Sequence, residues 1–205
     1  GIVLVKKHMQ ENKAVPRDAV ADVYQLINDD LDDAIKTAPE HITEHYYVSR
    51  MTAKALKARV LLYQKKYHDA AMLAKQIIDD AESFGYVMES NFADIFKHGH
   101  LSSEAFFAPY AMGFRERLFL NMNLTSAGMY TQTIADAFVG APKDGDINTG
   151  AGFDHRFAVE FAKNTYGPNL NGKYPLKGES TSNEQGNSYF YLRLGETYLI
   201  HAEAA

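Results

Sequence analysis

Residues 47–85 constrain the fold more than any other part of the sequence, because they carry two helical patterns separated by a very short turn. Ser49 is a suitable N-cap, and the apolar residues after it recur at i, i+4, i+7 and i+11: Met51, Ala55, Ala58 and Leu62. The second pattern restarts at Tyr67 and continues through Ala71, Ala74 and Ile78. We expect Gly85 to end it, since glycine adopts the left-handed conformation that closes many helices.

The alanines on both patterns predict that the two helices lie close together, as in a tetratricopeptide-type hairpin. Three further apolar residues are expected to widen the stripe of the first helix: Leu56, Val60 and Tyr63. Lysines occupy the side that we expect to face solvent: Lys54, Lys57 and Lys65. A hairpin of this kind needs helices stacked on either side to bury both of its faces. This stretch therefore predicts a scaffold and no chemistry.

The composition narrows the classes of function. The chain has 205 residues, 46% of them hydrophobic, which fits one globular domain with a substantial core. Its net charge of −5 argues against a nucleic-acid partner held through phosphate contacts. Cysteine is absent, which excludes disulfides and thiol nucleophiles within the chain, and no apolar run reaches membrane-spanning length. The 13 tyrosines and 12 phenylalanines suit either a half-buried core or flat polar ligands.

Helical patterns also flank the hairpin. One is expected to begin with Pro16 in its first turn and to close at Pro39, with a solvated acidic face. The other, residues 189–205, is apolar nearly all round and is therefore expected to be a buried helix. The charged residues of this helix are Arg193, Glu196 and Glu203. They should form an internal network, in which Arg193 pairs with Glu196 at i+3 or with partners elsewhere. Paired acids also occur in glycosidases, but a scaffold helix without a cleft favours the structural interpretation.

The predicted organisation is a single domain fragment. Residues 16–85 and 189–205 form its helical scaffold, and residues 86–188 form a loop-rich ligand-binding region with a few short strands, including one at residues 105–108. The apolar residues at the start of the sequence resemble the end of a folded segment, and the last residues, LIHAEAA, stop inside an apolar helical pattern without a cap or breaker. We therefore expect the chain to be part of a longer protein.

Two patterns resemble metal sites. His41, Glu44 and His45 spell H-x-x-E-H, but zinc binding needs both imidazoles on one helix face, and this string lies in a predicted connector. Residues 144–150, with Asp144 and Asp146, resemble the start of a calcium loop, although the glycine comes one place late. A polar turn is favoured there, and calcium binding stays open. We therefore expect no zinc site and no cofactor.

The loop-rich region interleaves aromatic rings with amide and guanidinium donors. Rings stack on the apolar face of a pyranose, while asparagine and arginine bond its hydroxyls. This combination predicts sugar contacts at two groups of residues: Tyr110, Phe114, Arg115, Asn121, Asn123 and Tyr130, and then Asn169, Asn171 and Tyr174.

Several segments, in order, resemble the SusD/RagB family. The acidic helix DVYQLINDDLDDAIKTAP and the hairpin AKALKARVLLYQKKYHDAAMLAKQII are similar to its scaffold. SEAFF at residues 103–107 is similar to its extended piece, and the late signature matches at three places: Asp154-x-Arg156-Phe157, Lys173-Tyr174 and YLRLGETYLIHAEAA. The resemblance runs from Pro16 to Ala205 and is weakest between residues 110 and 151.

The resemblance implies a mainly α, tetratricopeptide-like fold with long irregular loops. It implies a lipoprotein on the outer face of the outer membrane of Bacteroidetes-type bacteria. There it would serve polysaccharide utilisation, binding a glycan (in some relatives a peptide) without catalysis, as the partner of a SusC-like TonB-dependent transporter. The anchoring cysteine and signal peptide of the family are absent here, as is tryptophan, its commonest stacking ring. The alternative function is a tetratricopeptide-like scaffold that binds proteins or peptides, and which glycan would be bound stays open.

Overall fold

The structure is a computed structural model that describes residues 2–4, 16–109 and 189–205. Within these residues the α-helices are α1 Val20–Thr37, α2 Arg50–Tyr63, α3 Tyr67–Ala81, α4 Phe92–His98 and α5 Leu194–Ala204. The strands are β1 Ala105–Phe107 and β2 Leu192–Arg193, and short 3₁₀ turns cover Glu82–Phe84 and Gly99–Leu101. None of the helices within these residues is both long enough and apolar enough to cross a bilayer.

The chain divides into two compact units. The first comprises Gly1–His41, Val48–Asp80 and Thr197–Ala205, and the second comprises Ile42–Tyr47 and Ala81–Glu196. The first unit contains α1, α2 and nearly all of α3, and the second contains α4, β1 and β2. The prediction of a single domain with a loop-rich central region stays a prediction.

The predicted hairpin of α2 and α3 is confirmed. The Ser49 hydroxyl accepts a hydrogen bond from the Thr52 amide at 3.1 Å, and the Thr52 hydroxyl accepts one from the Ser49 amide at the same distance, which forms a capping box. Gln64, Lys65 and Lys66 make the turn. Of the alanines in the two stripes, Ala55, Ala58 and Ala74 are buried, while Ala71 is half-buried. Gly85 has a φ of 82° and closes the 3₁₀ turn that extends α3.

Charged residues on α2 depart from the expectation. Lys57 forms an ion pair with Asp32 of α1, and Lys54 lies 3.6 Å from Asp80 near the end of α3. Both lysines are largely covered, so their assignment to solvent is wrong, because α1 and α3 each offer a carboxylate beside α2 and the aliphatic stems bury with it. Conversely, Tyr63 was expected in the apolar stripe, yet it is 70% exposed at the end of α2.

The start of α1 also differs from the expectation. Pro16 does not lie in the first turn, because the helix begins at Val20 after an extended Ala19. The segment before it is held by residues near the N-terminus. The Leu4 amide donates to the Asp18 carboxylate at 2.7 Å, and the Asp18 amide donates to the Ile2 carbonyl at 3.0 Å. These long-range bonds replace the helical ones that the local pattern predicted.

The last element was expected as one buried helix over residues 189–205, and this is wrong in two respects. Residues 192–193 form β2, which pairs antiparallel with β1 through an irregular register that sets Ala105 opposite Arg193. Helix α5 starts only at Leu194, and it is not buried all round, since Leu199 is 71% exposed while Thr197 and Ile200 are buried. The backbone of 189–193 is extended because it can then form hydrogen bonds with β1. A helix that began at residue 189 would lose these bonds.

Candidate functional site

The residues predicted to contact a sugar lie outside the described part of the chain: Tyr110, Phe114, Arg115, Asn121, Asn123, Tyr130, Asn169, Asn171 and Tyr174. The same holds for the calcium-like segment with Asp144 and Asp146, and for Asp154, Arg156, Phe157 and Lys173 of the late signature. The candidate site described below is therefore built from residues at the two borders of this segment.

Side chains alternate where the chain returns to the scaffold. Tyr189 and Tyr191 are exposed by 38% and 57%, while Leu192 is buried. Phe190, between the tyrosines, meets Phe96 of α4 edge to face at 5.5 Å. This alternation follows from extended backbone, in which successive side chains point to opposite sides. The sequence Tyr-Phe-Tyr-Leu thus presents two tyrosines on one side and apolar anchors on the other.

Phe107 of β1 joins the two tyrosines, and we call Phe107, Tyr189 and Tyr191 the tyrosine ledge. The ring centroids of Phe107 and Tyr191 lie 5.7 Å apart with an interplanar angle of 40°. Those of Tyr189 and Tyr191 lie 6.3 Å apart with an angle of 47°. Tilted rings at these distances support one another, and the exposed π-surface and phenolic hydroxyls can meet the C–H face and the hydroxyls of a sugar.

The hydroxyl of Tyr189 stays protonated at physiological pH. Partial burial raises the pKa of Tyr189 above its ordinary value, and the neighbouring Tyr191 raises this pKa further. A neutral phenol both donates and accepts a hydrogen bond, as recognition of a polyhydroxylated ligand requires.

Main-chain bonds fix the ledge at both borders of residues 110–188. The Tyr189 amide donates to the Pro109 carbonyl at 2.9 Å, and the Tyr191 amide donates to the Phe107 carbonyl at 3.0 Å. The two borders of the residues that carry the predicted sugar contacts therefore lie side by side at the ledge.

A buried carboxylate supports β2 beneath the ledge. Arg193 Nη1 lies 3.4 Å from Glu104 Oε1, and the Glu104 side chain is only 3% exposed. The Leu194 amide donates to the Glu104 carbonyl at 2.9 Å, which ties the start of α5 to the same residue. Gly195 is required here, because a Cβ at this position would lie 2.8 Å from Glu104 Oε1.

Comparisons with known proteins bear on the fold. No family model and no curated protein matches the sequence. Among solved structures, a candidate sugar-binding protein from Bacteroides vulgatus ATCC 8482 is 21% identical, with a TM-score of 0.72 over 100% of this chain and 45% of that one. A SusD-like protein from Bacteroides fragilis NCTC 9343 is 22% identical, with a TM-score of 0.70 over 100% of this chain and 53% of that one. The chain has the SusD fold.

A laminarin-binding SusD-like protein is also similar, at 19% identity and a TM-score of 0.62 over 90% of this chain and 50% of that one. The chain thus spans about half the length of these three structures. The expected fold class is confirmed: mainly α, with a tetratricopeptide-like hairpin and a few short strands.

The predicted charge network is placed only in part. The ion pair given by the structure joins Arg193 to Glu104, across β1 and β2, while Glu203 is exposed on α5. A network that includes Glu196 and Glu203 stays a prediction. Glu104 was noted only as part of the SEAFF resemblance, and no local signal links it to a residue so distant in sequence.

The H-x-x-E-H string lies in irregular backbone between α1 and α2, as expected. The His45 Nδ1 lies 2.9 Å from the Ser102 carbonyl, so this nitrogen carries the proton, and its ring packs 5.3 Å from that of Tyr86. His45 thus serves packing in the second unit. Across residues 2–4, 16–109 and 189–205, no three metal-ligating side chains lie together.

The substitution His45→Gln is expected to flatten the pH dependence of stability. Burial lowers the pKa of His45, and this outweighs the bond to Ser102, which raises it. The unfolded chain therefore takes up the proton first, and the free energy of unfolding falls as the pH drops from about 6.5 towards the native pKa. Urea midpoints at pH 7.5 and 5.5 measure the effect, and glutamine keeps a donor for the Ser102 carbonyl.

His68→Gln, at an exposed site on α3, provides the control and should keep the full difference between the two urea midpoints. If His45→Gln also keeps that difference, His45 is not its source.

Proposed function

We propose that the chain is part of a glycan-binding protein that delivers oligosaccharides for uptake and breaks no bond. The tyrosine ledge carries the proposal, because it sets exposed, mutually supported rings at the borders of the segment that holds the predicted sugar contacts. The SusD fold supports it, and so does the laminarin-binding neighbour. In this proposal Tyr110, Phe114, Arg115, Asn121, Asn123, Tyr130, Asn169, Asn171 and Tyr174 supply further rings and hydrogen bonds.

The remaining parts of the proposal concern the partner of the protein and its location in the cell. A SusC-like TonB-dependent transporter would be the partner, and a lipid anchor would hold the full-length protein on the outer face of the outer membrane. Co-purification of the full-length protein with a TonB-dependent transporter, from membranes solubilised in mild detergent, tests the partnership.

The substitution Tyr191→Ala is expected to weaken glycan binding about five- to thirtyfold, since a stacking ring contributes about 1–2 kcal/mol. Affinity gels with laminarin and other neutral glycans, followed by calorimetry on the glycan that is retained, measure the change. Tyr191→Phe keeps the ring and should lose less.

A matched control distinguishes the ledge from exposed tyrosine in general. Tyr67, at the start of α3, is also exposed, and Tyr67→Ala should leave the affinity unchanged. Equal losses for Tyr67→Ala and Tyr191→Ala would remove the ledge from the proposal. Capture of peptides with no glycan retained would favour the alternative, a tetratricopeptide-like peptide-binding scaffold.

A further inference from the structure

A second concave site lies in the first unit, between α1 and the turn that joins α2 to α3. It is an open cleft of about 500 Å³, which falls in the size range of small-molecule sites. We call it the turn cleft, and its polar and aromatic lining comes from Tyr24, Asn28, Tyr63, Gln64, Lys65 and Lys66. These residues are separate from the ledge and from all the predicted sugar contacts.

The lining of the turn cleft suits a polar ring-shaped ligand. Tyr63 is 70% exposed and offers a π-face at the end of α2, where the apolar pattern of the sequence had predicted burial. Gln64 and Asn28 contribute side-chain amides next to it. An aromatic face beside amide groups matches the alternating C–H faces and hydroxyls of a sugar.

Asn28 carries an acceptor without a donor. Its Nδ2 donates to the Tyr24 carbonyl at 2.8 Å, which fixes the orientation of the amide, and also to Gln64 Oε1 at a long 3.3 Å. The Asn28 Oδ1 is buried and has no hydrogen-bond partner in the part of the chain that the structure describes. A buried acceptor without a donor costs about 1–3 kcal/mol, so the described scaffold does not fully satisfy the Asn28 amide. Gln64 lies on the Nδ2 side of this amide, and a ligand hydroxyl that displaces the weakly held Gln64 would accept the Nδ2 hydrogen bond.

The positive charge at the cleft is not used by the scaffold. Lys54, Lys57 and Lys75 each pair with an aspartate, whereas Lys65 and Lys66 are exposed and make no ion pair within the described ranges. Asp29 of α1 accepts a hydrogen bond at 2.8 Å from Gln25, which also lines the cleft, so this exposed carboxylate is engaged by a lining side chain. Two adjacent ammonium groups beside a ring and amides favour a ligand with a carboxylate.

The backbone conformation of Lys65 also supports a role for this residue at the cleft. Lys65 has a φ of 59° in a turn closed by the bonds from its own amide to Leu62 and from the Lys66 amide to Leu61. Glycine ordinarily fills this left-handed position after a helix, and a residue with a Cβ is disfavoured there. A lysine that is kept in an unfavourable conformation at the rim of a cleft indicates a use for its side chain.

We propose that the turn cleft binds a saccharide that carries carboxylate groups, such as a uronic-acid oligosaccharide. The Tyr63 ring would stack on a sugar ring, the amides of Asn28 and Gln64 would bond its hydroxyls, and Lys65 with Lys66 would hold a carboxylate. A volume of about 500 Å³ accommodates one or two sugar units.

Calorimetry of the full-length protein with tri-galacturonic acid tests the proposal, and the fully methyl-esterified trisaccharide serves as an uncharged control of the same shape. The double substitution Lys65→Gln/Lys66→Gln is expected to weaken binding of the acid about tenfold, and Tyr63→Ala about fivefold. Lys75→Gln, which removes a paired lysine on α3, should change nothing. The acid should bind more weakly as salt is raised, because the contacts with the lysines are exposed.

One further substitution, at Lys65, separates a role in binding from a role in stability alone. Lys65→Gly removes the backbone strain, so the melting temperature should rise while binding of tri-galacturonic acid weakens. Equal affinity for the acid and its ester, or unchanged affinity in the double variant, overturns the proposal. Binding of a glutamate-rich peptide in place of the saccharide also overturns it. Tyr191→Ala should leave this binding intact, so the turn cleft and the ledge can fail separately.

Discussion

Replacing Phe106 with alanine is expected to lower the free energy of unfolding by about 3–5 kcal/mol, the range for truncation of a fully buried phenylalanine. Phe106 has no exposed surface, and its ring meets that of Tyr86 edge to face at 4.7 Å. The substitution removes this contact and leaves a cavity beneath β1 that the neighbouring backbone cannot close. Urea unfolding followed by far-UV circular dichroism measures the loss.

Leu101→Ala provides the matched control for this truncation. Leu101 lies a few residues away and is about half exposed, so its loss should cost less than about 1 kcal/mol. Similar losses for the two variants would mean that Phe106 does not occupy the core of the second unit. Phe106→Leu should fall between them, because a smaller cavity remains.

Replacing Arg193 with alanine is expected to cost about 2–3 kcal/mol. The Glu104 carboxylate is almost wholly buried, so removal of the arginine leaves a buried charge without its cation. The cost lies below that of a fully buried pair, because Arg193 is itself 29% exposed. Adding Glu104→Gln to the Arg193→Ala protein should restore part of the stability, since the neutral amide no longer needs a counter-charge.

The comparison with an exposed pair tests the role of burial. Lys75 and Asp79 form an ion pair at 2.7 Å on the surface of α3, and Lys75→Gln should cost less than about 0.5 kcal/mol. A double-mutant cycle on Arg193 and Glu104 gives their coupling directly. Additive effects of the two substitutions would contradict a direct interaction.

Local signals predicted the hairpin of α2 and α3 well. The capping box of Ser49 and Thr52, the spacing of alanines and the left-handed Gly85 each act within a few residues, so the sequence alone specifies them. The predicted start of α1 was wrong because hydrogen bonds between Asp18 and both Ile2 and Leu4 compete with the helix. No local sequence pattern indicates these bonds.

The candidate site was less accessible to prediction. Residues 189–193 were assigned to a helix because an apolar run of this length fits either period, and the partner strand that decides the matter is distant in sequence. The alternation of Tyr189, Phe190, Tyr191 and Leu192 is the local signal that could have indicated a strand instead, and the helical assignment did not use it. Glu104 as the partner of Arg193 could not be inferred, because burial and pairing across strands depend on the tertiary structure.

The hydrogen bond between Tyr189 and Pro109 has a consequence for how such a protein can diverge. The bond from the Tyr189 amide to the Pro109 carbonyl holds the two borders of the intervening residues close together in space. A change in the number of residues between these borders therefore needs no change in the distance that the β1–β2 ribbon presents to them. For a flexible connection, the entropy of closure grows only with the logarithm of its length, and a doubling costs about 0.6 kcal/mol. Relatives with the same ribbon can therefore differ in length between these two positions.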